Sequence, residues 1–263
     1  ARLDPKLLSP ITHRGAGAQA DRAFLKARDA LVRARTLLVN QTRGLVKSSG
    51  ARLPKCSAET LPKVSLVDVP DALKTTIKPL LATIAELTKK IRAFDKEIDA
   101  LAEKKYPVTT VLTQVPGIGN LTALAYVLTL EDASRFPQSR LVGSYLGLCP
   151  RKNESGASSP ELRITKAGDG FLRRLLVQAA QYTLGPFAPD TDVRRWGVAL
   201  AGRGKKNAKK RAVIAVARKL AVLLHRLWVT KADYIPLQAR TNRRDANPGG
   251  STVPPSLPLP PPG

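Results

Sequence analysis

The chain has 263 residues, of which 44 are Lys or Arg and 20 are Asp or Glu, so its formal net charge at pH 7 is +24. A hydrophobic fraction of 43% is sufficient for a packed core and excludes wholesale disorder. The charge predicts a polyanionic partner, because Lys and Arg placed on phosphates release condensed counterions. No segment approaches the ~18 apolar residues of a membrane span, so we expect no membrane partner.

The cysteines and histidines exclude the common metal sites. Cys56 and Cys149 lie far apart and form no CxxC pair, which fits neither a disulfide framework nor a zinc site. His13 and His225 are the two histidines of the chain, too few for a His-rich site. We therefore expect no cofactor in this chain and a cytoplasmic, nucleic-acid-associated protein. The start ARLDPKLLSP and the absence of methionine lead us to expect a fragment.

The first part of the chain predicts a loop, a helix and an irregular connection. Residues 1–18 are punctuated by Pro and Gly and predict an N-terminal loop. Residues 19–46 have a helical pattern, and residues 48–70, with one Gly and three Pro, predict an irregular connection. The leucines of the helix repeat every seven residues: Leu31, Leu38 and Leu45.

The clearest periodicity lies in residues 73–101. Spacings of four and three alternate over four heptads: Leu73, Ile77, Leu80, Ile84, Leu87, Ile91, Phe94, Ile98 and Leu101. This is an a/d seam, although Pro79 conflicts with an unbroken helix, so we predict that the helix starts or bends there. Two interpretations remain for residues 19–105: a helical hairpin within the chain, or a coiled coil that joins protomers into a homo-oligomer.

Residues 106–237 form the second predicted domain, and residues 238–263, which end in PPSLPLPPPG, predict a disordered Pro-rich tail. Helices are predicted at 108–115, 120–130, 140–146, 170–184 and 208–229. The fold class is therefore mainly α, with a helical hairpin or coiled-coil region followed by a helix–hairpin–helix domain.

The sequence VPGIGNLTALAYVL, residues 115–128, is typical of a helix–hairpin–helix. Gly117 and Gly119 permit close approach of the backbone. A helix that begins near Asn120 directs free N–H groups and a positive dipole end at the turn, where a DNA phosphate fits. We predict Gly117, Gly119, Asn120 and Thr122 as DNA-binding residues. A tight turn between two packed helices is the alternative.

Glycines and prolines in residues 145–176 predict a loop, and this loop contains Ser155. It places Ser155 among basic residues that we predict to contact DNA: Arg151, Lys152, Arg163, Lys166, Arg173 and Arg174. A serine that attacks a phosphodiester needs proton removal, stabilisation of the developing charge and a stabilised leaving oxygen, and arginines supply the second. Composition alone favours a plain loop serine and makes Ser158 and Ser159 equally eligible.

A second basic cluster precedes the last predicted helix. Residues 194–231 contain no acidic residue, and the cations that we predict to contact phosphate lie within them: Lys205, Lys206, Lys209, Lys210 and Arg211. The alternative is a solvated, flexible run of charge.

These motifs together resemble a known family. PGIG followed by Thr122–Ala123, YLGLCP, the Ser-Gly pair, RITKAGD, FLRRLL and VARKLA occur here in the order found in the DEDD-type insertion-sequence transposases of the one-ten family, the bridge-RNA-guided recombinases. The resemblance covers residues 1–237 in order. It implies that Ser155 attacks DNA to form a phosphoserine linkage, and that a structured guide RNA pairs with target and donor DNA.

The resemblance also implies a RuvC-like N-terminal domain whose four acidic residues bind Mg²⁺. No motif of this sequence matches those acids, so we do not assign Asp4, Asp21 or Asp29 to that role and expect them to cap or solvate a helix. We expect the chain to be inactive without that domain. The competing hypothesis is a non-catalytic helix–hairpin–helix module that binds nucleic acid.

Overall fold

The computed structural model describes residues 15–151, 162–204 and 207–237. The described residues form helices, short turns and loops without a strand, which confirms the mainly α class. The helices are α1 (Ala16–Ser48), α2 (Asp71–Lys105), α3 (Thr109–Thr113), α4 (Asn120–Leu130), α5 (Arg140–Tyr145), α6 (Gly170–Thr183), α7 (Asp192–Ala201) and α8 (Ala208–Thr230). The predicted tail, 238–263, lies outside the described residues.

Helix α1 begins earlier than its sequence pattern indicates. It starts at Ala16, where the N–H of Gln19 donates to the carbonyl of Gly15, so residues 16–18 of the predicted loop are helical. Three alanines and a glutamine in the run AGAQA favour the helix and offset Gly17, and the run continues directly into the amphipathic part of the helix. The remainder of the predicted loop, residues 1–14, lies outside the described residues.

Helices α1 and α2 pack against each other as an antiparallel hairpin. Lys105 pairs with Asp21 at one end of the hairpin, and Arg28 pairs with Asp95 further along it. The seam between the two helices is buried within the chain and contains Ile77, Ile84, Ile91 and Ile98 from α2. Within the chain, the heptad pattern of α2 therefore packs against α1, while a coiled coil between protomers stays a prediction.

The predicted seam consists of two alternating sets of residues, and the set that begins at Leu73 lies beside the buried face. Every residue of this set is only partly buried: Leu73, Leu80, Leu87, Phe94 and Leu101. Their place in the seam is taken by residues one position later, such as Leu81 and Ala102, which α1 and its neighbours bury. A four-three spacing fits either choice, and only the position of the partner helix selects one of them.

Helix α2 begins at Asp71 and contains Pro79, so the prediction that a helix starts at Pro79 is wrong, and the alternative of a bend there stays a prediction. Proline removes one hydrogen bond to the residue four positions earlier. The neighbours Ile77 and Leu81 are 0% and 6% exposed, and their burial against α1 stabilises the helix across this position.

One large hydrophobic core joins the hairpin to the rest of the chain. Helix α4 lies at its centre, with every residue from Thr122 to Leu130 buried. Leu25 of α1 and Ile98 of α2 belong to the same core as residues of α6 and α8. The base of the hairpin is thus packed into residues 106–237. Helix α7, which was not among the predicted helices, begins where Thr191 caps the N–H of Arg194.

Candidate nucleic-acid interface

The turn of the predicted helix–hairpin–helix joins α3 to α4 and exposes two glycines. Gly117 has φ +89° and Gly119 is extended, while Ile118 between them is 4% exposed and anchors the turn in the core. Helix α4 begins at Asn120 without a side-chain cap, which leaves N–H groups of its first turn for another acceptor. A Cβ at Gly117 would lie 2.9 Å from Cδ1 of Tyr182, so the turn is close to α6.

An open groove of about 550 Å³ lies beside this turn, and we call it the turn groove. Its walls come from the turn, from α6 and from α1: Arg28, Gly117, Ile118, Gly119, Leu121, Thr122, Leu175, Gln178, Ala179 and Tyr182. The sequence indicated the glycines and Thr122, but it gave no signal for Arg28 and Gln178, which only tertiary packing brings here.

Two of the predicted DNA-binding residues at the turn are already engaged. The side-chain amide of Asn120 donates to Oδ1 of Asp99 at 2.8 Å, which ties the start of α4 to α2. Thr122 lines the turn groove but is 8% exposed. The contact surface for a phosphate is therefore the backbone of the turn, since Arg28, the charged side chain in the wall, is paired with Asp95.

The loop that contains Ser155 starts and ends at a paired neck. Pro150 and Ile164 form an antiparallel bridge, and the N–H of Arg151 donates to the carbonyl of Arg163 at 2.9 Å. The N–H of Thr165 donates to the carbonyl of Cys149 at the same distance. Ser155 and Lys152 lie outside the described residues. The exposed side chains of Arg151, Arg163 and Lys166 surround the neck with positive charge.

The neck is held to the core by two close backbone approaches. Gly147 has φ +65°, and a Cβ there would lie 2.3 Å from the amide nitrogen of Ala167. Gly168 has φ +70°, and a Cβ there would lie 2.1 Å from the carbonyl oxygen of Tyr145. Both positions therefore require glycine, which explains the glycines of YLGLCP and RITKAGD in structural terms.

The arginines of FLRRLL are engaged within the chain. Arg173 donates through Nη1 to the carbonyls of Leu146 and Ala167, at 2.9 and 2.6 Å, and so fastens the neck to α6. Arg174 pairs with Asp29 of α1 at 2.5 Å and lies over the ring of Phe171. A DNA contact by either residue stays a prediction.

The acidic residues near α1 do not behave as the sequence indicated. Asp21 accepts from both Lys105 and the hydroxyl of Tyr106. Asp29 is 8% exposed and pairs with Arg33 and Arg174. The expectation that these two residues cap or solvate a helix is wrong, because each pairs α1 with a cation of another element. Asp4 lies outside the described residues.

Asp169 caps the N-terminus of α6 and links it to α1. Its carboxylate accepts from the N–H of Leu172 and pairs with the guanidinium of Arg22. Burial alone would raise the pKa of Asp169, but the hydrogen bonds from Leu172 and Arg22 and the charges of Arg22 and Lys26 outweigh it and lower this pKa. Asp169 is consequently a structural carboxylate that stays ionised near neutral pH.

The second basic cluster lies at the start of α8. Lys209, Lys210 and Arg211 are exposed there, while Lys205 and Lys206 lie outside the described residues. Nearby, the ammonium of Lys219 is 4.5 Å from the ring centroid of Trp196. Whether the cluster contacts phosphate stays a prediction.

A Mg²⁺ site does not fit the described ranges. They contain no group of three or more His, Cys, Asp or Glu side chains that could hold a metal ion. His225 is buried, with its ring nitrogens 2.9 Å from the hydroxyl of Ser139 and the carbonyl of Ala133. Within the same ranges, each helix is too short or too polar to span a membrane.

The turn, the neck and α6 lie together within one segment that is similar to insertion-sequence transposases. Residues 109–191 match the sequence profile described as "Transposase IS116/IS110/IS902 family". This segment is therefore similar to the transposases of the IS116/IS110/IS902 family, and the similarity to transposases extends over most of the chain.

Three curated relatives define the extent of that similarity. The transposase for insertion sequence element IS1111A of Coxiella burnetii is 32% identical over 81% of this chain and 59% of its own length. A probable family 20 transposase of Pseudomonas aeruginosa is 30% identical over 83% of this chain and 66% of its length. The transposase for insertion sequence element IS1328 of Yersinia enterocolitica is 31% identical over 65% and 52%. The chain thus spans between half and two thirds of the length of these relatives.

Proposed function

We propose that this chain is the DNA-binding part of an insertion-sequence transposase and that it supplies Ser155 as the nucleophile for a DNA phosphodiester. The observation that carries the proposal is the paired neck of the Ser155 loop. It lies inside the segment that matches the transposase family, and three exposed cations surround it: Arg151, Arg163 and Lys166.

Helix α6 connects the neck to the turn groove. Near its N-terminal end Arg173 bonds the carbonyls of Leu146 and Ala167 beside the neck, and its C-terminal half, with Gln178 and Tyr182, lines the turn groove. At 1.5 Å per residue the two ends lie roughly 20 Å apart. A strand of duplex DNA rises about 3.4 Å per nucleotide, so about six phosphates span that length. A duplex of about six base pairs is therefore long enough to reach from the turn to the neck.

The two sites have different parts in this proposal. Backbone N–H groups at the turn hold phosphates without reading sequence. At the neck, the hydroxyl oxygen of Ser155 attacks phosphorus and expels a deoxyribose oxygen; the hydroxyl proton leaves to solvent and the expelled oxygen takes one up, while Arg151 and Arg163 stabilise the charge that develops on the phosphoryl oxygens. Sequence selection then falls to the guide RNA that the family resemblance implies.

The test is a covalent protein–DNA adduct. The product of the whole reading frame that contains this chain is incubated with end-labelled duplexes from the ends of its element, and adducts are separated on a denaturing gel. We expect an adduct that Ser155→Ala abolishes and that the matched variants Ser158→Ala and Ser159→Ala retain. An adduct that persists in Ser155→Ala would assign the chemistry to another residue.

A non-catalytic helix–hairpin–helix module is the second candidate, and the exposed backbone of the turn favours it. In that case no adduct forms in any variant, although the duplex is still bound. Binding that is lost in Gly119→Pro but kept in Ser155→Ala would support this module, because proline removes an N–H at the turn.

We also propose that two copies meet along one flank of the hairpin. The flank contains half-buried leucines in both helices, spaced by seven: Leu31, Leu38 and Leu45 of α1, and Leu73, Leu80 and Leu87 of α2. The stacked rings of Phe24 and Phe94, 4.6 Å apart, continue both series and place them on the same side. A partly exposed apolar row of this kind is typical of a coiled-coil seam.

A further inference from the structure

A second groove lies on the α1–α2 hairpin, outside the segment that matches the transposase family. It has a volume of about 620 Å³ and runs between α2 and the connection that precedes it. We call it the hairpin groove, and its walls are Glu59, Pro62, Lys63, Ala85, Thr88, Lys89, Arg92, Ala93 and Lys96. Neither the heptad pattern nor the family motifs assign any role to it.

The charges in the hairpin groove are strongly unbalanced. Glu59 is the one carboxylate of its walls, and it pairs with Arg92 at 2.7 Å and with Arg35 at 3.8 Å. The hydrogen bond and charge of Arg92 lower the pKa of Glu59, so the carboxylate is ionised and its charge is compensated. Lys63, Lys89 and Lys96 have no ion-pair partner within the described ranges. Three point charges therefore remain for an external anion.

The walls are fixed before any ligand arrives. Leu61 is 0% exposed and anchors the connection in the small core between α1 and α2. Arg43 donates to the carbonyl of Cys56 at 2.7 Å, and the Glu59–Arg92 pair links the connection to α2. Beneath the groove, Nε of Arg35 is a buried donor without a hydrogen-bond partner, which adds positive potential. Fixed walls reduce the ordering cost of binding.

The spacing of the cations fits a sugar–phosphate backbone. Lys89, Arg92 and Lys96 lie on one face of α2, and seven residues separate the first from the last, about 10 Å along the axis. That length matches about three nucleotide steps of 3.4 Å. The small side chains of Ala85 and Ala93 allow a backbone to approach the helix closely.

We infer that the hairpin groove is a second phosphate-binding site, which holds the backbone of a nucleic acid on the hairpin. Lysines contact phosphate as point charges, so this site contributes affinity and position but no base recognition. Its ligand is the backbone of DNA or of RNA, and the two share the chemistry that the groove recognises. The site would extend the nucleic-acid path beyond the turn and the neck.

The test compares two triple variants with the same loss of charge. One carries Lys63→Gln, Lys89→Gln and Lys96→Gln in the groove. The control carries Lys47→Gln, Lys90→Gln and Lys104→Gln, which are exposed lysines of the same hairpin outside the groove. Fluorescence anisotropy with labelled 20-nucleotide RNA, 20-nucleotide DNA and a 20-base-pair duplex measures Kd between 50 and 300 mM salt. Circular dichroism confirms that both triples remain helical.

We expect the groove triple to weaken binding of at least one probe about tenfold or more at 100 mM salt. The slope of log K against log salt should fall by about two to three, since each lost phosphate contact removes 0.7–0.9. The control triple should change Kd less than threefold. The probe with the largest effect identifies DNA or RNA as the occupant.

Equal losses of nucleic-acid affinity in both triple variants would show that binding depends only on the total charge of the hairpin, and this result would overturn the inference. So would unchanged nucleic-acid binding together with a groove-dependent loss of binding to labelled poly-glutamate, which would assign the site to an acidic peptide. A variant of the turn groove, Gln178→Glu, separates this proposal from the proposed function. If it weakens duplex binding while the groove triple does not, the turn still holds DNA and the hairpin groove does not.

Discussion

Arg174 of α6 and Asp29 of α1 form an ion pair of 2.5 Å that joins the transposase segment to the helical hairpin. Asp29 is 8% exposed and also meets Arg33 one turn later in its own helix. A buried carboxylate in contact with two guanidiniums is costly to leave unpaired. The pair therefore fixes how α6, which holds the neck, is seated against α1.

Replacing Asp29 with alanine should destabilise the whole chain. We expect a loss of about 1–3 kcal/mol in the free energy of unfolding, below the roughly 3–5 kcal/mol of a fully buried pair, because Arg174 stays 42% exposed. Urea denaturation followed by circular dichroism measures it. Asp68→Ala is the control, since Asp68 is exposed and has no ion pair in the described part of the chain. Equal stabilities of the two variants would contradict this role.

Replacement of glycine by alanine should destabilise the protein at the neck and stabilise it within a helix. Gly147→Ala and Gly168→Ala each place a Cβ within 2.4 Å of backbone atoms at positive φ, so we expect losses above about 1 kcal/mol. Gly44→Ala in α1 has open space around it and should stabilise by about 0.5–1 kcal/mol. Thermal denaturation of the three variants tests this order. Similar Tm values for all three would show that the neck tolerates a Cβ.

Asp169 predicts a specific loss of stability in acid. The pKa of Asp169 is lowered from its ordinary value of 3.8, so its contribution is complete above that value and is lost as pH falls below about 4 through the folded-state pKa. Asn at this position can still cap α6 but carries no charge. The free energy of unfolding of Asp169→Asn should therefore fall less than wild type between pH 5 and pH 2.5. A parallel decline in both proteins would remove Asp169 as the cause.

The buried hydroxyl of Tyr126 should contribute measurably to stability. Tyr126 is 0% exposed and donates to the carbonyl of Ala221 in α8 at 2.7 Å. Tyr126→Phe removes one buried hydrogen bond and should cost about 0.5–1.5 kcal/mol. Tyr182→Phe is the matched control, because Tyr182 is 47% exposed. If the control variant loses as much free energy of unfolding, the hydrogen bond to α8 does not account for the effect.

Substitutions in the leucine flank of the hairpin should change the oligomeric mass of the protein and leave its folding intact. Leu80→Glu with Leu87→Glu places charge on half-buried positions beside the seam, so we expect an oligomer to dissociate while helix content is kept. Light scattering coupled to gel filtration measures the mass. Leu37→Glu, at a leucine that is 68% exposed on the other side of α1, should leave the mass unchanged. A double variant with the same mass as wild type would reject this interface.

The helices with strong periodicity could be predicted from the sequence, and so could the turn. Residues 120–130 form a helix as the pattern indicates, because Gly119 ends the turn and an apolar run follows. The choice between a hairpin and an intermolecular coiled coil could not be predicted, since Leu80 and Leu81 satisfy the same spacing. Helix α7 was missed because Thr191 is its main local signal.

The contacts that build the candidate site were outside the reach of sequence reasoning. Arg28 enters the turn groove from a helix about 90 residues earlier in the chain. Arg173 was predicted from its charge as a DNA ligand, yet its guanidinium bonds two carbonyls of the neck. Charge indicates that a side chain seeks an anion or an acceptor, but only packing determines which one it reaches.

The antiparallel hairpin has a geometric consequence for any assembly of this protein. Helix α2 has 35 residues and is about 50 Å long, and its C-terminal end is packed in the same core as α4. The hairpin therefore cannot swing independently of the turn that follows it. A partner bound at the far end of the hairpin would be held at a fixed distance and angle from the turn groove. The helix pair therefore sets the separation between that partner and a ligand in the turn groove.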